Sequence, residues 1–192
     1  MSTSRPLRAD ARRNRDALLT AAREAFLAGD TDAHVEEIAR RAGVAVGTLY
    51  RHFDTREALV GEVYRQEVAE LCEAPARLLA ERPADEALHA FLLLLVQHSA
   101  TSKGMGEALE AITATDSPVF DEARGDMEAA LEELLTAGVE AGLLRAGFSG
   151  RTVLRGLGGI CGMRASGWEK DAERIAGLLC DGLRHGARGA TA

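Results

Sequence analysis

The stretch VAVGTLYRH concentrates side chains that donate hydrogen bonds. Thr48, Tyr50 and His52 carry hydroxyl or imidazole groups that can reach phosphate oxygens, and Arg51 can reach phosphate or the edge of a guanine base. Gly47 adds no side-chain bulk, so the backbone there can come close to a large partner. Taken alone, these residue types fit an ordinary solvated helix as well as they fit a contact with nucleic acid.

Two short apolar-periodic segments, joined across a glycine, must position this cluster. Residues 35–42 have apolar side chains at the spacing of an amphipathic helix, and Gly43 interrupts the pattern. The next segment places Val44 and Leu49 on a buried side and leaves its polar residues outside. Two short helices joined by a tight turn with glycine are the sequence form of a helix-turn-helix, whose second helix fits a major groove.

The rest of the chain also has helical periodicity, and no alternating strand pattern competes with it. Alanine and leucine abound and only 4 prolines occur, which favours helix. The sequence therefore predicts an all-α fold of about nine helices. Outside the helix-turn-helix they are expected at about residues 11–28, 55–72, 84–100, 103–114, 117–141, 150–166 and 170–187. The pattern Asp54-x-x-Glu57 indicates a capping box at the start of the fourth helix.

The charge is distributed unevenly. A net charge of −7 argues against a nucleic-acid partner, but residues 1–60 hold ten arginines and nine acidic residues, or +1. Residues 61–192 hold 13 basic and 21 acidic residues, or −8. The first fifteen residues form a basic arm with the arginines Arg5, Arg8, Arg12, Arg13 and Arg15. Charge alone fits an arm that contacts a polyanion and a solvated, disordered tail equally well.

Composition also indicates the cellular compartment in which the protein is expected. The longest apolar run is far shorter than the ~18 residues that a membrane span needs, and the first residues show no apolar signal core. The three cysteines, Cys72, Cys161 and Cys180, lie far apart and predict reduced thiols rather than a disulfide or zinc frame. We therefore expect a cytoplasmic protein with no membrane partner.

The stretch IARRAGVAVGTLYRHF, followed by DTREAL, closely resembles the TetR/AcrR family of one-component transcriptional regulators. The shared pattern is an Ile-Ala pair, Ala-Gly-Val, a Gly-Thr-Leu-Tyr core, an aromatic residue and a basic residue before Glu-x-Leu. The resemblance implies a DNA-binding module of three helices, a linking fourth helix and a variable C-terminal helical domain. It also implies a homodimer, usually a repressor, whose C-terminal domain binds a small-molecule inducer. We assign residues 1–57 to the arm and DNA-binding domain and 58–192 to the ligand-binding and dimerisation domain.

The resemblance extends to individual DNA contacts. The expected set is Val46, Gly47, Thr48, Tyr50, Arg51, His52 and Arg56. The first three resemble the base-facing start of the recognition helix. Tyr50 and His52 resemble its phosphate contacts, a role that Thr48 shares. Arg56 replaces a common lysine at the start of the fourth helix, and the partner is expected to be double-stranded DNA with a near-palindromic operator.

Three positions depart from the family pattern. Ala45 stands where a capping serine is frequent, which costs the recognition helix a cap of about 1 kcal/mol. His34 replaces a capping threonine, although Glu37 can still supply the other half of a capping box. Glu36 stands where some members place a base-reading arginine, so we expect the second helix to read few bases.

An apolar ligand cavity is expected between about residues 84 and 168, as is usual for small-molecule sites. The expected ligand is unidentified and largely lipophilic. The cavity should be lined by some of Phe91, Leu95, His98, Met105, Leu109, Phe120 and Trp168. Trp168, between two predicted helices, also fits the role of a core residue.

The last two predicted helices are expected to pair with their copies as a four-helix bundle. The resemblance suggests this, and glycine gives an independent reason. Four glycines in one helix (Gly156, Gly158, Gly159, Gly162) cost roughly 4 kcal/mol relative to alanine, which close backbone approach to a partner could return. The expected interface comprises Leu154, Leu157, Gly159, Ile160, Cys161, Ile175, Leu178, Leu179 and Leu183.

Other functional classes have weaker support. GLGGICG is superficially similar to a dinucleotide-binding loop but has no strand before it. His89 and His98 lack neighbouring metal ligands, and no convergent catalytic residues occur. We therefore expect no cofactor, no metal and no enzyme activity. A helical interaction protein that has lost DNA binding is disfavoured by the intact Tyr50, His52 and Arg56.

Overall fold

The computed structural model describes residues 4–28, 30, 34–101, 118–161 and 167–185. Within these ranges the regular structure is entirely helical, which confirms the all-α prediction. The helices are α1 (Ser4–Leu27), α2 (Val35–Arg41), α3 (Val46–His52), α4 (Arg56–Cys72), α5 (Ala74–Glu81), α6 (Ala84–Thr101), α7 (Pro118–Glu140), α8 (Gly150–Cys161) and α9 (Trp168–Arg184). The helix expected at about 103–114 lies outside the described residues.

Two boundaries differ from the expectation. Helix α1 begins at Ser4 rather than near residue 11, so the basic arm continues the helix instead of preceding it. Helix α9 begins at Trp168, directly after Gly167, whose φ of 81° lies in the left-handed region that glycine adopts easily. Both differences arise because apolar periodicity locates the buried face of a helix and does not mark its first residue.

The chain divides into two compact units, and the division falls within α4 after Gln66. In the first unit α1 packs against α2 and α3, and α2 packs against α3. Its core is formed by the fully buried side chains of Leu18, Phe26, Ile38, Leu49 and Leu59. These positions have the helical spacing that the sequence indicated. The division of function at residue 57 remains a prediction.

The second unit is organised around α6, which contacts α5, α7, α8 and α9. Phe91, Leu88 and Leu92 of α6 are fully buried, as are Leu131 and Leu134 of α7. The Nε atom of Arg184 donates to a carboxylate oxygen of Asp85 at 2.7 Å, which ties the end of α9 to the start of α6. No described helix has both the length and the apolar character required to cross a membrane.

The three cysteines are free thiols. Cys180 is buried in the core of the second unit, and Cys72 and Cys161 are half-buried. Burial raises the pKa of the Cys72 and Cys180 thiols to about 11, so both remain protonated near neutral pH. None of the three has the depressed pKa of a reactive thiol.

Candidate nucleic-acid interface

The turn between α2 and α3 is fixed by backbone hydrogen bonds around one glycine. The N–H of Val44 donates to the carbonyl of Ala39 at 3.0 Å, and the N–H of Gly43 donates to that of Arg40 at 3.2 Å. This pair of bonds is a Schellman motif, which requires a left-handed residue, and Gly43 supplies it with a φ of 69°. The glycine that indicated a helix-turn-helix therefore has a defined structural role.

Helix α3 has one buried side and one outward side. Leu49 is 0% exposed, and Phe53, which ends the helix, is 5% exposed. On the other side Tyr50 is 47% exposed, and Gly47 and Arg51 are exposed as well. The structure thus gathers the outward residues on one short helix over an apolar base.

The remaining members of the predicted contact set are partly covered. Val46, Thr48 and His52 are half-buried on α3, and Arg56 is half-buried at the first position of α4. Val44, expected on the buried side, is also only half-buried. The DNA-contact roles of these residues stay predictions.

The N-termini of α2 and α3 have no side-chain caps, as the departures from the family pattern indicated. Neither His34 nor Ala45 makes a capping side-chain hydrogen bond. The carboxylate of Glu37 accepts hydrogen bonds from Arg40 at 2.7 and 2.8 Å and from Arg41 at 2.8 Å. Arg40 first, and then Arg41, lower the pKa of Glu37 to about 2. Glu37 thus holds two arginines of its own helix, which lie one turn away and within reach.

The cap of α4 is not the predicted one. Thr55, rather than Asp54, caps the helix, because its hydroxyl accepts from the N–H of Ala58 at 3.1 Å. Glu57 lies in the first turn, and hydrogen bonds from its own backbone N–H and from Thr55 lower its pKa. A threonine and an aspartate are adjacent here, and both are good caps, so sequence alone did not distinguish them.

The arginines of the basic arm have different environments. Arg12 is exposed, whereas Arg13 forms an ion pair with Asp10 of the same helix. Arg15 donates to the carboxylate of Glu62 on α4 and lies over the ring of Phe53. The side chains of Arg5 and Arg8 lie outside the described set. The role of Arg15 was missed, because its partner Glu62 is 47 positions away and leaves no local pattern.

The predicted cavity residues are distributed between core and undescribed parts of the chain. Phe91, Leu95 and Trp168 are buried in the core of the second unit, and His98 is half-buried. Met105 and Leu109 lie outside the described residues, as does the side chain of Phe120. A groove of about 500 Å³ between α6 and α9 is lined by Leu93, Leu94, Val96, Gln97, Ala100, Glu169 and Glu173. None of the predicted lining residues belongs to this groove.

The predicted dimer residues also fall into two groups. Leu157 is 2% exposed and Leu183 is 4% exposed, so they pack within their own subunit and leave little surface for a partner. Leu178 is 65% exposed and Gly159 is exposed. The half-buried members are Leu154, Ile160, Cys161, Ile175 and Leu179.

The glycines of α8 differ in what surrounds them. A Cβ atom added to Gly150 would lie 2.2 Å from the backbone oxygen of Glu128, so close packing against α7 requires this glycine. A Cβ added to Gly156, Gly158 or Gly159 would meet nothing within 4 Å. Packing among the described residues therefore gives no reason for these three glycines. Gly162 lies outside the described residues.

The alternative sites gain no support from the structure. GLGGICG from Gly156 onward lies within α8 as far as Cys161, and no strand precedes it among the described residues. Among the described residues, no group of three or more histidine, cysteine or acidic side chains is placed to hold a metal ion.

A small helical unit that presents a short polar-faced helix beyond a glycine turn defines a helix-turn-helix DNA-binding protein. Family models agree with this class along most of the chain. Residues 18–63 match the model of bacterial regulatory proteins of the tetR family. Residues 83–185 match the C-terminal domain of SbtR-like transcriptional regulators. The chain belongs to the TetR family of transcriptional regulators.

Solved structures show the same relationship. A TetR transcriptional regulator from Streptomyces coelicolor is 39% identical, with 88% of this chain and 98% of that chain covered and a TM-score of 0.70. A TetR regulatory protein from Mycobacterium vanbaalenii is 35% identical, with 93% and 99% covered and a TM-score of 0.69. A TetR-family repressor from Thermus thermophilus, solved in complex with lauroyl-CoA, shares the fold at 23% identity, with 86% and 92% covered and a TM-score of 0.62.

Proposed function

We propose that this regulator binds a near-palindromic operator as a homodimer, represses transcription there, and is released by a lipophilic small molecule held in its second unit. The observation that carries the proposal is the outward face of α3. Exposed Gly47, Tyr50 and Arg51 stand over the fully buried Leu49, so an apolar anchor fixes the direction of the polar side chains. A helix of this size fits the major groove of B-form DNA.

Within that face we assign two kinds of contact. Val46, Gly47 and Thr48, at the start of α3, read base edges, because N-terminal residues of a recognition helix point into the groove. Tyr50, His52 and Arg56 contact phosphates and set the register on the duplex. Arg51, which is exposed, reaches phosphate or guanine.

The dimer is proposed to form through the outer faces of α8 and α9. The open glycines Gly156 and Gly159 allow close backbone approach, and Leu178, which is 65% exposed, offers apolar surface to a partner. Ile175 and Leu179, half-buried beside it, extend the same apolar surface. Two copies of α3 then meet successive major grooves about 34 Å apart.

The ligand is proposed to enter the apolar second unit. The Thermus thermophilus repressor was solved with lauroyl-CoA. At 23% identity, its similarity to this chain shows a common fold and no more. What it supports is that this helical architecture can hold a long acyl chain. A ligand that binds the DNA-free state more tightly lowers operator affinity by the ratio of its two affinities. We propose no enzyme activity and a cytoplasmic location.

A binding assay with the protein's own upstream DNA tests the proposal. We expect the dimer to protect one near-palindromic segment at low protein concentration, and to bind a scrambled duplex of equal length at least 1,000-fold more weakly, the lower end of typical specificity ratios of ~10³–10⁷. Titration with lauroyl-CoA, with free CoA and free laurate as matched controls, tests the ligand class. A protein that remains dimeric but binds both duplexes equally would refute the regulator proposal.

A further inference from the structure

Arg15 belongs to the basic arm by sequence, but its side chain is turned toward the protein. Its NH2 group donates to a carboxylate oxygen of Glu62 in the second turn of α4. Its guanidinium carbon lies 5.6 Å from the ring centroid of Phe53, within the ~6 Å of a cation–π contact. One side chain of α1 therefore contacts both the end of α3 and the start of α4.

The two residues that Arg15 contacts are themselves fixed. Phe53 is 5% exposed, and its N–H donates to the carbonyl of Leu49 at 2.8 Å, which closes the last turn of α3. Glu62 also accepts a hydrogen bond from Arg65, one turn further along α4. The planar guanidinium suits this site, because it can lie flat on the aromatic ring while its edge donates to the carboxylate.

We propose that Arg15 is a positioning residue, which fixes the C-terminal end of the recognition helix against α1 and α4, and does not itself contact phosphate. The inference rests on the proposed DNA binding by α3. A small error in the position of α3 would misplace Tyr50 and His52, which lie within the last turn before Phe53. Arg15 would then affect affinity for DNA without touching DNA.

The direction in which one substitution changes affinity for DNA distinguishes a positioning role from a phosphate contact. Glu62→Gln removes a negative charge from the DNA-binding unit, and by electrostatics alone it should raise affinity for a polyanion. If Arg15 positions α3, Glu62→Gln should instead weaken operator binding by about three- to tenfold, since ion-pair and cation–π contacts of this kind are modest. Asp16→Asn, which removes an exposed acidic charge from α1 beside Arg15, is the matched control for the charge effect.

Variants of Arg15 give the second comparison. Arg15→Gln should weaken operator binding by a similar factor. The slope of its log affinity against log salt should change by no more than the slope changes in Arg12→Gln, which removes an exposed charge from the same helix. Arg15→Lys keeps the charge but loses the flat guanidinium, so it too should weaken binding. The double variant of Arg15→Gln and Glu62→Gln should lose no more than the larger single loss.

Hydrogen exchange in the free protein separates this inference from the proposed function. Arg15→Gln should speed exchange at the end of α3, residues 49–53, while Arg12→Gln should not, whether or not an operator has been found. Thermal melts confirm that each variant is folded. Increased affinity in Glu62→Gln or additive losses in the double variant would overturn the positioning role. A salt slope that falls by about one in Arg15→Gln but not in Arg12→Gln would show instead that Arg15 contacts phosphate.

Discussion

Helices α3 and α8 both carry glycines at which an added side chain would meet only open space. A Cβ added to Gly47 of α3 meets nothing within 4 Å, and the same holds for Gly156, Gly158 and Gly159 of α8. Around Gly47 stand hydroxyl, imidazole and guanidinium groups, whereas the surface beside α8 includes the exposed Leu178 of α9. Both helices thus expose backbone at glycine, but the neighbouring side chains are polar at α3 and apolar at α8.

The side chains around the open glycines indicate which kind of partner each surface suits. A bare backbone among hydrogen-bond donors suits a charged, hydrated partner such as DNA, where binding is largely electrostatic. A bare backbone beside apolar side chains suits a second protein surface, where close packing and burial supply the energy. The two helices should therefore respond oppositely to the same perturbations.

Salt gives the largest expected difference. Raising salt from 50 to 200 mM should weaken operator binding about 1,000-fold, as for a protein with roughly six phosphate contacts. The dimer dissociation constant should change less than about threefold, because apolar contacts are not screened by ions. Fluorescence anisotropy measures the first and sedimentation velocity the second. A dimer that dissociates as steeply as the DNA complex would break the comparison.

A side chain in the open face of α8 should have the next largest effect. Gly159→Leu should shift the protein toward monomer and weaken operator binding about 100-fold, since one subunit holds only half of the site's phosphate contacts. Sedimentation and anisotropy on one sample measure both effects.

Gly125→Leu is the matched control, because Gly125 is an exposed glycine of α7 with equally open space around it. This variant should remain dimeric and bind the operator like the wild type. If Gly159→Leu behaves in the same way as the control, the open glycines do not lie at the dimer interface.

Within α3, the two kinds of proposed contact can be separated. Tyr50→Ala should weaken operator and scrambled DNA alike, by about tenfold when one hydrogen bond is lost from each of two subunits. Thr48→Ala should change which bases are preferred at one position of each half-site. Binding to a library of single-base operator variants measures both. An unchanged affinity in Tyr50→Ala would show that the assigned docking of α3 is wrong.

The fold was predictable where helical periodicity and glycine occur together. The buried face of α1, the turn at Gly43 and the apolar base at Leu49 follow from local spacing. The contact of Arg15 with Phe53 and Glu62 was not predictable, because Arg15 lies on α1, 47 positions before Glu62, and no local spacing links α1 to α3 or α4. Burial of Leu183 within its own subunit was missed for a similar reason, since an apolar stripe does not say which partner covers it.

The smallest expected effect concerns how the two helices begin. Ser149 caps α8, since its hydroxyl accepts from the N–H of Thr152 at 3.2 Å, whereas α3 has Ala45 at the equivalent position and no side-chain cap. The N–H of Thr48 donates to the backbone carbonyl of Ala45 at 2.8 Å, and Ala45→Ser should give it a second, side-chain acceptor and stabilise α3 by up to about 1 kcal/mol. Ser149→Ala should destabilise α8 by about 1 kcal/mol. Hydrogen exchange should then slow about fivefold over residues 46–52 in the first variant and quicken over 150–157 in the second, if each helix opens locally. Unchanged exchange in α3 alongside faster exchange in α8 would show that α3 is held by its packing and gains nothing from a cap.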